Sequence, residues 1–235
     1  MKVLVFCAHA DDEVIGMGAT IRKFADAGAE IRLVHFSRGA EGYATPEEKA
    51  TICDIREAEV ARVCGVLGIA SHVNLGHLDW SVEVGNATYR QVIAEIRAFR
   101  PDAVFTHRHG DYHDHMNVSQ AVGEGWFHAP LLCAMEEDSV WKPVPLYEFE
   151  VITLFPQPEL VVDVTDTFGA KLKAMEVYSS QTGVVGGAAQ MLTGRALLRG
   201  QAVGVRYGEA LCRSKLRPAR VNEVGALLEG GDLAI

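Results

Sequence analysis

The chain has 235 residues, of which 49% are hydrophobic and 23% are charged, and its formal net charge is −9. The hydrophobic fraction excludes intrinsic disorder as the default state, and the length suits one well-buried domain over residues 1–235. The acidic balance argues against nucleic acid as the main partner, because binding phosphate groups requires a basic face, and it fits a small-molecule substrate better.

The first half of the chain alternates predicted strands with predicted helices. An apolar run over residues 2–8 is typical of a buried parallel strand, and the spacing of apolar residues that follows indicates a helix over 12–28. The pattern then repeats as strand 30–37, helix 46–67, strand 72–75, helix 86–100, strand 102–106 and helix 115–123. Repeated strand–helix units predict an α/β fold with a mostly parallel sheet and helices on both faces.

Beyond residue 140 the pattern is less regular. Strands are predicted over 146–154 and 160–164, and a helix over 165–180. Residues 183–208 are rich in glycine and alanine, which leaves three alternatives open: a mobile segment, a lid over a site, or a contact in a homo-oligomer. No linker-like change of composition divides the chain, so we expect one domain.

The cysteines and the hydropathy of the chain indicate in which cellular compartment the protein is located. Five cysteines are scattered along the chain, at Cys7, Cys53, Cys64, Cys133 and Cys212. An odd number without paired spacing predicts reduced thiols, as in a cytoplasmic protein. No apolar run approaches the length of a membrane span, and the first residues lack the pattern of a signal peptide. We therefore expect a cytoplasmic location.

Two clusters of histidines and carboxylates follow predicted strands. The first contains His9, Asp11 and Asp12, and the second lies within residues 107–115, which hold four of the nine histidines. Open parallel sheets bind ligands at the carboxyl ends of their strands. Carboxylates at such an edge destabilise the fold unless a cation or another partner compensates. The clusters therefore predict a catalytic site for a divalent metal with His and Asp ligands.

Several of these residues also fit structural roles. Asp11 or Asp12 alone fits a helix N-terminus, because the helix dipole favours carboxylates there. The dipole does not explain His9, whose cation it would disfavour at that position. Residues 16–18 (GMG) match a dinucleotide-binding pattern only in part, and close packing of helix on strand explains these glycines better. Residues 111–115 alone also fit a polar surface loop. Single histidines and thiols elsewhere are expected to be ordinary buried or hydrogen-bonded side chains: Cys7, His35, His72, His77, Cys133 and His128.

Four segments together resemble the PIG-L/LmbE-type zinc-dependent N-deacetylases: residues 8–13 (AHADDE), 16–20 (GMGAT), 101–107 (PDAVFTH) and 111–115 (DYHDH). These enzymes remove acetyl groups from N-acetylglucosamine-type amino sugars and their conjugates. The resemblance implies a Rossmann-like three-layer sandwich and a metal-dependent hydrolase acting on an N-acetylated amino sugar. It also implies one Zn²⁺ per chain, for which Fe²⁺ or Co²⁺ are conceivable substitutes.

The resemblance implies a role for each motif residue. The zinc ligands would be His9, Asp12 and His115, and Asp11 would be the general base. His113, oriented by Asp114 or Asp111, would stabilise the oxyanion or protonate the leaving amine. Arg56 would contact the sugar, although its place on a helix also fits a solvated helix face.

This chain departs from the family pattern in two places. Ala10 stands where the family usually has proline, and residues 113–115 (HDH) are one residue shorter than the usual His-x-Asp-His. We expect His113 to face the metal if the backbone over 113–115 is extended and the helix begins at or after His115. Helical backbone would instead splay the two side chains by about 200°. Tyr112 or His109 would then fill part of the missing role.

Two rival functions remain compatible with the residues alone. One is another metal-dependent amide or ester hydrolase, including one that acts on a phosphate ester. The other is a catalytically inactive binding protein of the same fold. The base at Asp11 argues against the second, because a structural zinc has four closed ligands and no spare carboxylate.

Overall fold

The computed structural model describes residues 1–132, 140–181, 183 and 185–217, so Cys133 lies outside the described residues. The strands are β1 (Lys2–Cys7), β2 (Glu30–Ser37), β3 (Ser71–His77), β4 (Ala103–His107), β5 (Leu146–Phe149), β6 (Leu160–Asp163) and β7 (Gly208–Arg213). The α-helices are α1 (Asp12–Asp26), α2 (Ile52–Leu67), α3 (Asn86–Phe99), α4 (His113–His128), α5 (Phe168–Val177) and α6 (Ala188–Gln201).

The described strands form one sheet in the order β3-β2-β1-β4-β5-β7-β6. Strands β1 to β5 pair in parallel, whereas β7 runs antiparallel to both β5 and β6. The predicted α/β fold with a mostly parallel sheet is confirmed.

Successive residues of β1 face opposite sides of the sheet and so belong to two hydrophobic cores. Val3 and Val5 pack into the core that α1, α2, α5 and α6 cover. Leu4 and Phe6 pack into the core that α3 and α4 cover. Helices therefore cover both faces, as the predicted three-layer sandwich requires.

The direction of the chain across the sheet reverses at β1. The chain proceeds from β1 through β2 to β3 on one side, and then returns to place β4 on the other side of β1. The register pairs Val3 with Ala103 and Val5 with Phe105, so the carboxyl ends of β1 and β4 lie side by side. Ligands bind at such a reversal point in open α/β sheets.

Helix α1 is broken at Met17, whose φ of −149° and ψ of 27° are not helical. Glu209 of β7 accepts the backbone N–H of Thr20 at 2.7 Å, which the break frees. Lys171 of α5 donates to the carbonyl of Ile15 at 3.0 Å on the other side of the break.

A side chain at Gly16 would collide with the ring of Phe149, which confirms close packing as the reason for that glycine.

The observed elements differ from the predicted ones at several points, and strand β7 was not predicted at all. The helix predicted over 46–67 is a 3₁₀ turn, Pro46–Ala50, followed by α2, because Pro46 and the Thr45–Glu48 capping box begin a separate short turn. The strand predicted over 146–154 ends at Phe149. Residues 183–208 contain α6, a regular helix that buries Leu192 and Ala196. Among the helices of the described ranges, none combines the length and apolar character that crossing a membrane requires.

Candidate metal and catalytic site

Asp11 lies between β1 and α1 in a left-handed backbone conformation, with φ of 104°. Its side chain makes no capping hydrogen bond to α1, so the alternative of a simple helix cap does not describe Asp11. Instead its carboxylate lies 3.8 Å from the guanidinium of Arg56. Burial raises the pKa of Asp11 to about 7, although Arg56 opposes the shift. A carboxyl group with that pKa suits general-base chemistry near neutral pH.

Asp12 is the acceptor at the centre of the cluster. Its Oδ2 accepts the backbone N–H of His9 at 2.7 Å, and its Oδ1 lies 3.1 Å from Nε2 of His115. Burial opposes ionisation, but His115 and His107 outweigh it and hold the pKa of Asp12 well below the usual range. Asp12 is therefore an anion, as a metal ligand must be.

The ring of His115 is held from one side only. Its Nδ1 lies 3.3 Å from Oδ2 of Asp111. Its Nε2 is buried and lies 3.1 Å from Oδ1 of Asp12, but without the geometry of a hydrogen bond. A histidine whose Nδ1 donates to a carboxylate while Nε2 points at another ligand has the arrangement of a metal-bound imidazole.

His9 is held in the same way by a different carboxylate. Its Nε2 lies 3.0 Å from Oδ2 of Asp114. Its Nδ1 then faces the cluster, 3.7 Å from Asp12 and 3.1 Å from the hydroxyl of Tyr112. Asp114 thus positions His9, just as Asp111 positions His115.

The donor set fits a catalytic divalent metal. One ligand atom each from His9, Asp12 and His115 lies within 4.8 Å of the others. Two imidazoles and one carboxylate are ligands that zinc accepts, and three protein ligands leave a position for substrate chemistry. The unpartnered Nε2 of His115 is the atom that such an ion would satisfy. A second buried group of ligand-type side chains, Cys7, Glu13 and His35, lies deeper in the molecule.

The second group is a hydrogen-bonded network. Glu13 accepts the hydroxyl of Tyr178 at 2.5 Å and lies 3.1 Å from Nε2 of His35. Nδ1 of His35 lies 2.9 Å from Nε2 of His72. The prediction of ordinary hydrogen-bonded histidines is confirmed for this pair. Burial raises the pKa of the Cys7 thiol well above its usual value, in line with the structural thiol that the sequence predicts.

His113 does not join the cluster of His9, Asp12 and His115. Helix α4 begins at His113, so the expectation of an extended backbone over residues 113–115 is wrong. Helical geometry turns His113 away from His115, and its side chain is 60% exposed. Asp114 does contact His113, with Oδ1 at 3.2 Å from Nδ1, but its other oxygen holds His9.

Of the two alternatives to His113, the structure brings one to the cluster. Tyr112 lies beside His9 with near-parallel rings and lines the cavity that also contains the candidate ligands His9, Asp12 and His115. His109 is exposed and borders a different cavity together with Glu148. Tyr112, the residue directly before α4, therefore faces the cavity, whereas His109 does not.

Arg56 is 4% exposed, so the alternative of a solvated helix face is wrong. It donates a hydrogen bond to the carbonyl of Ala10 and lines the same cavity as Asp11. A side chain at Gly42 would collide with its guanidinium, so the loop after β2 covers Arg56 closely. The cavity measures about 360 Å³ and has apolar walls at Ile15, Val151, Ile152 and Val185.

Three residues that lie at this site were assigned no function from the sequence. His107 ends β4, is fully buried and stacks on His115 with ring centroids 4.0 Å apart. Asp79 and Trp80 follow β3 and line the cavity. The sequence could have indicated Asp79 and Trp80 as site residues, because they follow β3, a parallel strand that ends at the same edge of the sheet.

Residues 4–125 match the family model described as PIG-L: GlcNAc-PI de-N-acetylase. A "1D-myo-inositol 2-acetamido-2-deoxy-alpha-D-glucopyranoside deacetylase" of Thermobispora bispora is 28% identical over 152 residues, 53% of this chain and 50% of that protein. The chain thus spans about half the length of this relative. A "Probable N-acetyl-alpha-D-glucosaminyl L-malate deacetylase 2" of Bacillus cereus is 28% identical over 77% of this chain and 83% of its own length.

Two of the solved structures that resemble this chain illustrate the shared fold. The N,N'-diacetylchitobiose deacetylase of Pyrococcus horikoshii superposes with a TM-score of 0.83 at 25% identity, covering 92% of this chain and 84% of that one. The 4-carboxy-2-hydroxymuconate hydratase GalB of Pseudomonas putida superposes with a TM-score of 0.80 at 24% identity, covering 94% and 98%. The second likeness concerns the fold alone.

Proposed function

This chain belongs to the PIG-L (GlcNAc-PI de-N-acetylase) family, and we propose that it is a zinc-dependent hydrolase that removes the acetyl group from an N-acetylated amino sugar or its conjugate. The family model covers the segment that contains His9, Asp11, Asp12 and His115. The names of the deacetylase relatives support an acetamido sugar as the substrate class.

One observation carries the proposal: the buried, unpartnered Nε2 of His115 beside the carboxylate of Asp12. The two groups lie 3.1 Å apart without hydrogen-bond geometry, as two ligands of one ion do. A divalent cation would bind both and balance the negative charge of Asp12. Zn²⁺ suits this donor set, and when bound it supplies Lewis acidity that activates water and polarises an amide carbonyl.

Asp11 is the proposed general base. Its carboxylate lies at the floor of the cavity next to the ligand Asp12 and carries a pKa raised to about 7 by burial. It accepts a proton while the water oxygen bonds to the acetyl carbon. The carbon–nitrogen bond then breaks, and Asp11 returns the proton to the leaving amine. The products are acetate and the free amino sugar.

Tyr112 is the proposed donor to the oxyanion. Its hydroxyl reaches the cluster, 3.1 Å from Nδ1 of His9, and burial raises its pKa, so it keeps its proton at neutral pH. An O–H donor aimed at developing negative charge lowers the barrier to acyl transfer. We assign this role to Tyr112 in place of His113, whose side chain points to solvent.

Arg56 is the proposed contact to the sugar. Its guanidinium lines the cavity and its Nε has no partner in the described ranges. A buried guanidinium with a free N–H can donate to a sugar hydroxyl. The cation also faces Asp11, so it fixes the direction of that carboxylate.

The test is amine release by zinc-loaded protein from N-acetylglucosamine, N,N'-diacetylchitobiose and N-acetylglucosaminyl malate. His115→Ala serves as the matched inactive control, and metal content is measured on both proteins. We expect amine release that depends on zinc and disappears in the variant. Hydration of 4-carboxy-2-hydroxymuconate is assayed in parallel. Turnover of that compound without amine release would contradict the proposal.

A cytoplasmic location is also a proposal. The four described cysteines, Cys7, Cys53, Cys64 and Cys212, are all free thiols, which supports a reducing compartment.

A further inference from the structure

Trp80 adopts a backbone conformation that is unusual for a bulky residue. Its φ is 63°, in the left-handed region that glycine occupies without strain. Among non-glycine residues of the described ranges, only Asp11 and Arg100 share a positive φ. Strained residues of this kind cluster at functional sites, where surrounding contacts hold them in place.

The contacts around Trp80 connect it to the metal cluster. Its backbone N–H donates to Oδ2 of Asp114 at 2.8 Å, and the same oxygen lies 3.0 Å from Nε2 of His9. The preceding residue, Asp79, accepts the backbone N–H of Glu41 at 2.7 Å. The loop is therefore fixed on both sides, and the position of Trp80 depends on the carboxylate that orients a metal ligand.

The indole of Trp80 is exposed to solvent. It is 68% exposed at the rim of the cavity. Trp126 and Trp141 bond their indole N–H to the carbonyls of Val144 and Pro101, whereas no residue in the described part of the chain accepts a hydrogen bond from the Trp80 indole. An exposed tryptophan with a free N–H beside a catalytic cavity is suited to contact a ligand.

The position of Trp80 determines which part of a substrate it can meet. The scissile acetamide must reach the buried floor at Asp11 and Asp12, so the amino sugar fills the cavity. The group attached to that sugar then lies at the rim. The rim there carries two carboxylates, Asp79 and Glu41, against one lysine, Lys49, which pairs with Glu41 at 3.5 Å, so an anionic group is disfavoured.

We propose that Trp80 is a platform on which the apolar face of a neutral, ring-shaped aglycone stacks, such as a second pyranose or a cyclitol. This inference rests on the proposed function and names its substrate class. The C–H face of a six-membered polyol ring matches the flat indole, whereas an acyclic or missing aglycone offers no such face. Trp80 thus makes the enzyme selective for conjugates over the free monosaccharide.

The first experiment compares kcat/KM for N,N'-diacetylchitobiose and N-acetylglucosamine in wild type, Trp80→Gly and Trp80→Phe. We expect the disaccharide preference to fall about tenfold in Trp80→Gly, the scale of one ring contact, and to be largely kept in Trp80→Phe. Leu78→Ala, an exposed apolar change two residues away, is the matched control. The unfolding temperature of Trp80→Gly should not fall, because glycine relieves the strained φ.

A binding measurement separates this inference from the proposed reaction. Calorimetry of N,N'-diacetylchitobiose on zinc-loaded Asp11→Asn, with and without Trp80→Gly, should show weaker binding in the double variant. If wild type binds the disaccharide through Trp80 but releases no amine, the platform stands and the proposed reaction is wrong. An unchanged disaccharide preference, equal affinity in both proteins, or no binding to either would overturn the platform.

Discussion

Asp111 and His115 form a carboxylate–imidazole pair in which Oδ2 lies 3.3 Å from Nδ1; Asp111 precedes α4 by two residues, and His115 lies in its first turn. Asp111 is itself held by the backbone N–H of Ile152 at 3.1 Å and by the hydroxyl of Thr153 at 3.2 Å. The loop after β5 therefore fixes the direction of His115, the proposed metal ligand on α4.

Asp111→Asn is expected to weaken zinc affinity by about 10- to 100-fold, the usual effect of losing the charged partner of a ligand histidine. Competition with a chromogenic chelator measures the affinity. Asp102→Asn, an exposed carboxylate paired with Lys142 at 3.3 Å, is the control and should bind zinc as wild type does. Equal affinity in Asp111→Asn would show that His115 needs no such partner.

Asp11→Asn should keep the metal and lose turnover by about two to four orders of magnitude, the range for removal of a general base. The reason is that Asp11 faces Arg56 and the cavity, whereas its neighbour Asp12 faces His115. Metal analysis and kcat are measured on the same preparation. Loss of zinc together with activity would reverse the roles of the two carboxylates.

Tyr112→Phe should lower kcat by about 100- to 1000-fold, as loss of an oxyanion donor does. His113→Ala should stay close to wild type, because its ring is solvent-exposed and borders no part of the cavity. The two neighbouring substitutions form a matched pair measured at saturating substrate. The opposite ranking would return the catalytic role to His113.

His72→Gln should reduce the sensitivity of the fold to acid. Burial, followed by the neighbouring ring of His35, lowers the pKa of His72 from 6.5 to about 4. The unfolded chain therefore binds a proton first, and the contribution of neutral His72 is lost as pH falls from 6.5 towards 4. Thermal unfolding at pH 7 and pH 5 should show a larger drop for wild type than for the variant. Equal drops would mean that His72 takes up its proton without disturbing the fold.

Gly16→Ala should destabilise the fold by about 1–3 kcal/mol, because the added methyl group meets the ring of Phe149 in a packed core. Gly194→Ala on α6 meets open space and should stabilise the fold by about 0.5–1 kcal/mol through helix propensity. Urea unfolding of both variants checks the opposite signs. Destabilisation by both would point to a general intolerance of side chains at helical glycines.

The convergence of His9, Asp12 and His115 was predictable from the sequence, because parallel strands end at the same edge of a sheet and both clusters follow such strands. Their separation within 4.8 Å agrees with that reasoning. The place of His113 was not predictable, because it depends on whether α4 begins at residue 113 or two residues later. A shift of that size lies within the uncertainty of any helix boundary read from a sequence.

Long-range contacts account for the rest of what the sequence did not predict. Trp80 owes its conformation to Asp114, 34 residues away in the chain. Lys171 meets Glu209 at 2.6 Å in a buried pair that no local pattern indicates. Strand β7, which the sequence did not predict, pairs antiparallel with β5 and β6, and both of these strands lie more than 40 residues earlier in the chain.

The break in α1 makes the beginning of the chain dependent on its later part. A fragment ending at residue 125, where the family match ends, would lack both Lys171 and Glu209. The amide of Thr20 and the carbonyl of Ile15 would then be left inside the core, at about 1–3 kcal/mol for each unpaired group. The segment that carries both polar motifs is therefore not a detachable module. Any transplant of this metal site into another scaffold must take the last strand along with the first helix.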